Sequence, residues 1–302
     1  MLRPTSLLRR WLDAGRGCLA AMLLGANVLV VFSTMMPFAL LKLCLPFPVV
    51  RVPVDRILNR LAETWIRING WWIGLVGTVR WQVDGADSLR RHGWYLVGSN
   101  HQSWVDILVL QKALTGKIPL LKFFLKRELI YVPLMGLAWW ALDFPFMRRG
   151  GSFARDLAAT RKSCERFRTI PTSVINFLEG TRFTPAKHDE QQSPYRHLLE
   201  PKVGGLAMAL SVMGDRFRSY LDVTIVYPDG VPTFWDLLCG RMREVVVHVR
   251  ELELPAIAPG ATIGSAPYRR QLTAWVNEMW QAKDCRIDEI LAARAAPVAQ
   301  AA

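Results

Sequence analysis

Cysteine is scarce and scattered. Cys18, Cys44, Cys164, Cys239 and Cys285 are odd in number and never form a Cys-x-x-Cys pair. That pattern excludes a disulfide framework and a structural zinc site, and it fits reduced thiols facing a reducing compartment. Charge is also thin, at 21% of residues, and acid is the scarcer sign: 25 Asp and Glu against 38 Lys and Arg, a net charge of +13. Such an excess suits nucleic acid or an anionic lipid surface. There is no zinc-finger spacing and no aromatic run of the RNA-binding kind, so nucleic acid is disfavoured. No His-Glu-x-x-His occurs, and no metal site is expected. No internal repeat is found.

Apolar side chains are abundant, at 51% of 302 residues, with 12 Trp among them. The mean hydropathy is +0.17. Trp favours the lipid–water boundary, because its ring is apolar and its N–H wants a partner; a large aromatic core is the other use. From Gly17 to Leu41 no side chain is charged (GCLAAMLLGANVLVVFSTMMPFALL). The run exceeds the roughly 20 residues that span a bilayer as a helix. It is also longer than the apolar core of a cleaved signal peptide, which is about 7–15 residues. Pro37, Pro46 and Pro48 mark a break, so a spanning helix and a re-entrant hairpin both fit. Basic residues on both flanks, Arg3 to Arg16 and then Lys42 to Arg60, suit a hairpin that enters and leaves one leaflet. Residues 55 to 81 read as a helix, packed or lying on a membrane surface.

Beyond residue 81 apolar strands alternate with helices. Strands are expected at Val79–Val83, Tyr95–Gly98, Lys117–Leu121, Ser173–Leu178, Leu221–Tyr227 and Val245–Leu252. Helices are expected at Val105–Leu114, Ser152–Phe167, Gly204–Met213 and Pro267–Arg294. The expected fold class is α/β: a mostly parallel sheet flanked by helices, with an N-terminal membrane-embedded helical segment. The expected domains are a membrane anchor at 1–60, an α/β domain at 61–294 and a disordered tail at 295–302. The polar stretch Phe183–His197 reads as a mobile loop. The apolar stretch 130–146 reads as a buried or lipid-facing wall of the site. The basic helix 152–167 is a solvated face or a contact for anionic headgroups.

Ligand sites in parallel sheets lie beyond the carboxyl ends of the strands. Two motifs fall there. In NHQSWVD, residues 100–106, His101 sits in the turn after a strand and Asp106 in the first turn of the next helix. Asp106 can hold one imidazole nitrogen and leave the other to take a proton from a hydroxyl. This is the base half of a hydrolase triad without its nucleophile, and one reading puts the attacking oxygen on the substrate, which would make the reaction a direct acyl transfer to an alcohol. A structural histidine in a turn reads equally well from this stretch alone. In FLEGTR, residues 177–182, Gly180 permits a tight turn, Thr181 offers a hydroxyl and Arg182 a fork of donors for phosphate. Glu179 is expected on Arg182 or on a backbone amide. His92, His188, His197 and His248 stand in no motif and read as structural or surface residues.

These motifs in order, with KRELIYVPLMG at 126–136, FPFMRR at 144–149 and VTIVYP at 223–228, resemble the glycerolipid (PlsC-type) 1-acyl-glycerol-3-phosphate acyltransferases. WWALDFPFMRR and PKVGGLAMAL resemble the YihG-type subgroup of the bacterial inner membrane most. The resemblance spans about residues 60 to 250. It implies His101 as general base and Asp106 as its orienter. It implies Lys126, Arg149 and Arg182, with Glu179, Gly180 and Thr181, at the acceptor's phosphate. Many members carry an acidic or polar residue where this chain has Arg148, so either Arg148 or Arg149 is the ligand. The resemblance also implies an acyl-chain tunnel near Pro119–Met135. The implied partners are a lysophospholipid acceptor, acyl-CoA or acyl carrier protein as co-substrate, and anionic membrane lipids, with no other cofactor. The implied location is the bacterial inner membrane with the site facing the cytoplasm. A different lysophospholipid, an amine-headed lipid, or a non-catalytic basic membrane-surface protein are the rival readings.

Overall fold

The computed structural model describes residues 7–45, 47–77, 79–147, 170–255 and 265–299. The side chains of Lys126, Met147 and 295–299 lie outside that description, as do Arg148, Arg149 and the expected helix 152–167.

The long apolar run is one helix, α1 (Leu7–Cys44), with Pro37 inside it. At about 1.5 Å per residue it is roughly 57 Å long. It is the one described helix long and apolar enough to cross a membrane. The chain then reverses into α2 (Pro48–Val76), which starts with proline at its first position, where the missing N–H costs nothing. The two helices pack along each other. Met35, Leu58, Trp72 and Ile66 are buried in the seam, each large apolar side chain contributing roughly 2 kcal/mol. A polar bridge crosses it: Asn27 donates to Asn69 at 2.8 Å and to the Trp65 carbonyl at 3.0 Å, and Trp72 donates to Asn69 at 3.0 Å. A buried amide pair between apolar helices fixes their register, since sliding would leave both amides unpaired.

The hairpin lies against the rest of the chain at both ends of α1. A Cβ on Gly17 would meet Cys239 Sγ at 2.7 Å and the Trp235 ring at 2.8 Å. At the other end Lys42 is buried, donates to the Ala141 carbonyl at 2.8 Å and pairs with Asp55 at 2.6 Å and with Asp143. Arg51 completes this cluster from α2, 3.3 Å from Asp143.

The sheet has six strands: β1 (Arg80–Asp84), β2 (Tyr95–Ser99), β3 (Leu121–Phe123), β6 (Ser173–Phe177), β7 (Ser219–Val226) and β8 (Glu244–Leu252). Their order is β1-β8-β7-β2-β6-β3. Every neighbouring pair is parallel except β7 with β8. A separate pair, β4 (Leu125–Lys126) and β5 (Phe146–Met147), is also parallel. The fold is therefore the expected α/β architecture. The expected strand Lys117–Leu121 starts later, at Leu121, because Gly116 has φ +85° and Pro119 lacks an N–H for a ladder.

Both faces of the sheet are covered, as parallel strands require. Val97, Ile175, Val223 and Val247 join a core with α1, α2, α3 (Val105–Leu114) and α4 (Met135–Ala141), the last lying within the stretch read as a wall. Leu96, Val174, Tyr220 and Val246 join the opposite core, with α6 (Gly204–Met213) and α8 (Ala266–Ala299). The backbone of α8 stays helical past Arg294, to Ala299. Lys283 of α8 is buried against the sheet, 2.6 Å from Asp222, which Arg250 meets from β8 at 2.6 Å. Gly98 in β2 is required by this face: a Cβ there would stand 1.6 Å from the Tyr220 hydroxyl.

Phe183–His197 is not a loose loop. Thr184 caps α5 (Pro185–Gln191) by accepting from the Lys187 amide. The following turn is tied to α8, where Asp284 accepts the amides of Arg196 and His197, each at 2.8 Å. Polar composition suggested mobility; these buried carboxylate bonds remove it. α7 (Phe234–Leu238) closes the order with a reciprocal cap between Thr233 and Asp236.

Candidate active site

Three adjacent parallel strands end at one place. β2 lies between β6 and β7, and His101, Glu179 and Tyr227 follow their last residues by one or two positions. Asn100 locks this edge: its amide donates to the Ile225 carbonyl at 2.9 Å and accepts the Ile225 N–H at 2.8 Å.

Asp106 is fully buried and saturated. Its Oδ2 faces Nδ1 of His101 at 2.8 Å and accepts the amides of Gln102 at 2.6 Å and Ser103 at 2.8 Å. Its Oδ1 accepts the Tyr227 hydroxyl at 2.6 Å. A carboxylate among four donors is an acceptor only, so Nδ1 carries the hydrogen and Nε2 the lone pair. Nε2 has no hydrogen-bond partner among the described residues, and the side chain is 14% exposed. The ring stacks on Phe177, with centroids 4.0 Å apart and planes at 14°. Burial, then the charge and hydrogen bond of Asp106, holds the Tyr227 hydroxyl well above the ordinary tyrosine range, which keeps it a donor.

Glu179 holds the His101 backbone and makes no ion pair with a described residue. Its Oε1 accepts the His101 N–H at 2.7 Å and its Oε2 the Leu199 N–H at 3.2 Å. Burial pushes its pKa up to about 8 against the pull of those amides. Of the two expectations for Glu179 as a partner, the backbone amide is what the fold chose. The His101 carbonyl accepts the Phe183 N–H at 2.7 Å, so the turn after β6 grips the His101 backbone from both sides.

Gly180, Thr181 and Arg182 form the outward part of that turn. Gly180 has φ +67° and lies against Lys202, 3.2 Å from the point a Cβ would occupy. The Arg182 guanidinium lies 4.9 Å over the ring of Trp104, which is itself exposed. Lys187 donates to the Thr181 hydroxyl at 2.7 Å and to the Arg182 carbonyl at 3.0 Å. The Lys126 backbone is in β4, paired with Met147; its side chain and the whole of Arg149 lie outside the described residues. Ser103 is no nucleophile here, since its hydroxyl donates to the Pro232 carbonyl at 2.6 Å. No described group of His, Cys, Asp and Glu is placed to hold a metal ion. His188 and His197 serve packing, on the Tyr195 carbonyl at 2.7 Å and on Asp288 at 2.8 Å.

The sequence missed Tyr227, Asn100, Lys187 and Lys202 as parts of this site. Tyr227 stands beside Pro228 in VTIVYP, and the strand end was a usable signal. The two lysines had none.

A shallow recess opens at the other end of α3, lined by Glu63, Leu110, Leu114, Ile118, Pro119 and Leu121 among others. It stands roughly 15 Å from the histidine turn by the length of α3.

Residues 80–228 match the family model described as Acyltransferase. The chain is 27% identical over 264 residues to 1-acyl-sn-glycerol-3-phosphate acyltransferase 2 of Brassica oleracea, covering 80% of this chain and 64% of that one. It is 24% identical over 248 residues to 1-acyl-sn-glycerol-3-phosphate acyltransferase delta of Rattus norvegicus, covering 78% and 62%. The chain thus spans somewhat less than two thirds of the length of these relatives. The crystal structure of the 1-acyl-sn-glycerophosphate acyltransferase PlsC from Thermotoga maritima shares the fold, with a TM-score of 0.53, 18% identity, and coverage of 91% of this chain and 98% of that one.

Proposed function

We propose that the protein is a membrane-bound O-acyltransferase. It moves a fatty acyl chain from a thioester donor, acyl-CoA or acyl carrier protein, to the free hydroxyl of a lysophospholipid, in the first place 1-acyl-glycerol-3-phosphate. The observation that carries the reading is the pairing of Asp106 with His101, which leaves Nε2 as a base with no hydrogen-bond partner among the described residues. Nε2 takes the proton of the acceptor hydroxyl as its oxygen attacks the thioester carbonyl. The tetrahedral intermediate collapses, the C–S bond breaks, and the leaving thiolate takes the proton back from the imidazolium. No cofactor beyond the thioester enters this scheme. The cations at Arg182, Lys187 and Lys202 support an acidic headgroup as the part recognised, with Lys126 and Arg149 contributing. The names of the relatives support lysophosphatidate as that acceptor.

The membrane holds the acceptor's tail. Leu7, Trp11, Val30, Leu43 and Phe47 expose apolar surface along the hairpin, and a basic chain favours anionic headgroups. Contacts of α1 with the domain at both Gly17 and Lys42 support a hairpin that dips into one leaflet over a helix that crosses. Free thiols at Cys18, Cys44, Cys239 and Cys285 support a cytoplasmic face, which with the resemblance to inner-membrane enzymes gives the bacterial inner membrane as the location.

Purified protein in detergent, acyl-CoA and lysophosphatidate, with release of CoA thiol followed for wild type and His101→Ala, tests the reading. Acceptor-dependent release lost in the variant is expected. Release that survives the substitution sinks the role of His101. Arg148 beside Arg149 motivates a panel of other lysophospholipids and amine-headed lipids as acceptors.

A further inference from the structure

Three cations surround the Gly180–Thr181 turn: Arg182 within it, Lys187 from α5 and Lys202 from the chain before α6. The acid of the same turn, Glu179, points inward with its oxygens on the amides of His101 and Leu199. It does not face them. On α5 the neighbouring Asp189 leans toward His188 at 3.5 Å. The surface beside His101 is therefore a positive pocket edge with its own carboxylate turned away.

Lys187 is placed to do more than add charge. An ammonium has three donors and no acceptor. Two of them go to the Thr181 hydroxyl and the Arg182 carbonyl, at 2.7 and 3.0 Å, and the third has no partner among the described residues. A hydroxyl that accepts from an ammonium turns its own proton elsewhere. Thr181 thus becomes a donor aimed away from Lys187. Lys202 packs its stem on Gly180, with Nζ 3.8 Å from where a Cβ would stand, and that Nζ makes no hydrogen bond to a described residue.

We propose that Lys187 and Lys202 are specificity residues that read the charge of the acceptor's headgroup and select a phosphate monoester over a phosphodiester. The inference rests on the lysophospholipid reading given above. A phosphate monoester carries close to two negative charges at pH 7, since its second pKa is about 6; a diester carries one. The monoester also presents three terminal oxygens, enough to meet Arg182, the donor of Thr181 and both ammonium groups at once. A diester gives up one of these oxygens to its second ester and brings bulk against Gly180.

Titration calorimetry on the full chain in detergent, with no acyl donor present, tests this without turnover. The ligands are lysophosphatidate, a monoester, and lysophosphatidylglycerol, a diester. The wild type should bind the monoester at least about tenfold more tightly. Lys187→Met and Lys202→Met should each weaken the monoester by about fivefold to tenfold and leave the diester within about twofold. Lys187→Arg should keep most of the preference. Equal affinities in the wild type, equal weakening of both ligands in the variants, or no binding of either ligand overturns the inference. If Lys187→Met fails to fold, Lys202→Met decides, because its side chain supports no hydrogen bond in the turn. Thiol release by the wild type is judged apart from this, so failed turnover with intact selectivity strikes only the acyl-transfer reading, and the converse strikes only the charge reading.

Discussion

The hydroxyl of Tyr227 donates to Oδ1 of Asp106 at 2.6 Å, across 121 residues of sequence. It occupies the one carboxylate oxygen that His101 and the two amides leave open. Tyr227→Phe removes that bond and strands a buried oxygen, at a cost of about 1–3 kcal/mol. A fall in kcat of about tenfold is expected, with a modest drop in melting temperature. Thiol-release kinetics check it, and an unchanged rate would show that Asp106 is held well enough by the backbone alone.

Asp106→Asn keeps the size and inverts the donor pattern. An amide NH₂ would face the N–H groups of Gln102 and Ser103, or the carbonyl oxygen would leave His101. Either way Nδ1–H loses its acceptor and the tautomer is no longer fixed. Activity should fall by roughly 10³-fold or more, as tautomer control in such pairs is worth that order. A loss under tenfold would rule out the orienting role.

Glu179 gives a pH prediction. Its pKa is raised from 4.5 to about 8 by burial, so the native state holds a proton that the unfolded chain releases. The stability tied to that proton is fully present below about pH 4.5 and is lost as pH rises through about 8. The upper bound over that window is on the order of 4–5 kcal/mol. Glu179→Gln cannot titrate there. Melting curves from pH 5 to 8.5 should fall more steeply for wild type than for the variant, and parallel profiles would refute the assignment.

Gly98→Ala tests the packing behind the site. The new Cβ would stand 1.6 Å from the buried Tyr220 hydroxyl, and two sheet strands cannot move apart to accept it. A loss of at least about 3 kcal/mol is expected in chemical denaturation. Paired with Tyr220→Phe, which removes the clashing oxygen, the loss should shrink; equal losses would place the strain elsewhere.

Lys42→Met tests the tether of the hairpin. It removes the ammonium that Asp55 and the buried Asp143 both pair with beside Arg51, which costs roughly 3–5 kcal/mol. Limited proteolysis should then cut between the hairpin and the domain sooner than in wild type. Unchanged protection would mean that apolar packing alone holds α1 in place.

How far the sequence reached depended on the range of the forces involved. The His101–Asp106 pair was legible, because five positions spanning a strand–turn–helix junction fix the distance locally. α6 and α3 were legible from continuous apolar runs with their stops, and β2 from a short apolar run ending in a turn. The fate of Glu179 was not: a buried acid demands partners, but whether Arg182 or two amides supply them depends on where residues 101 and 199 pass. The Phe183–His197 stretch was misread as mobile, because its order comes from Asp284 and Asp288 on α8, some 90 residues away. Nothing local announces those bonds.

The sequence by itself determined the covalent chemistry available: an imidazole with a carboxylate in reach, a glycine turn with a hydroxyl and a guanidinium, an apolar segment long enough to span a membrane, and a surplus of cations. Periodicity and residue size act over a few positions, and they decided that these pieces would be strands, helices and turns. Only the tertiary structure decided that β2, β6 and β7 end side by side, that Tyr227 closes the fourth contact of Asp106, and that Lys187 and Lys202 converge on one turn. Apart from the reach of Lys187 to Thr181, 6 positions away, those relations join residues 22 or more positions apart. They are set by strand order and by the burial of both sheet faces, which no local pattern encodes.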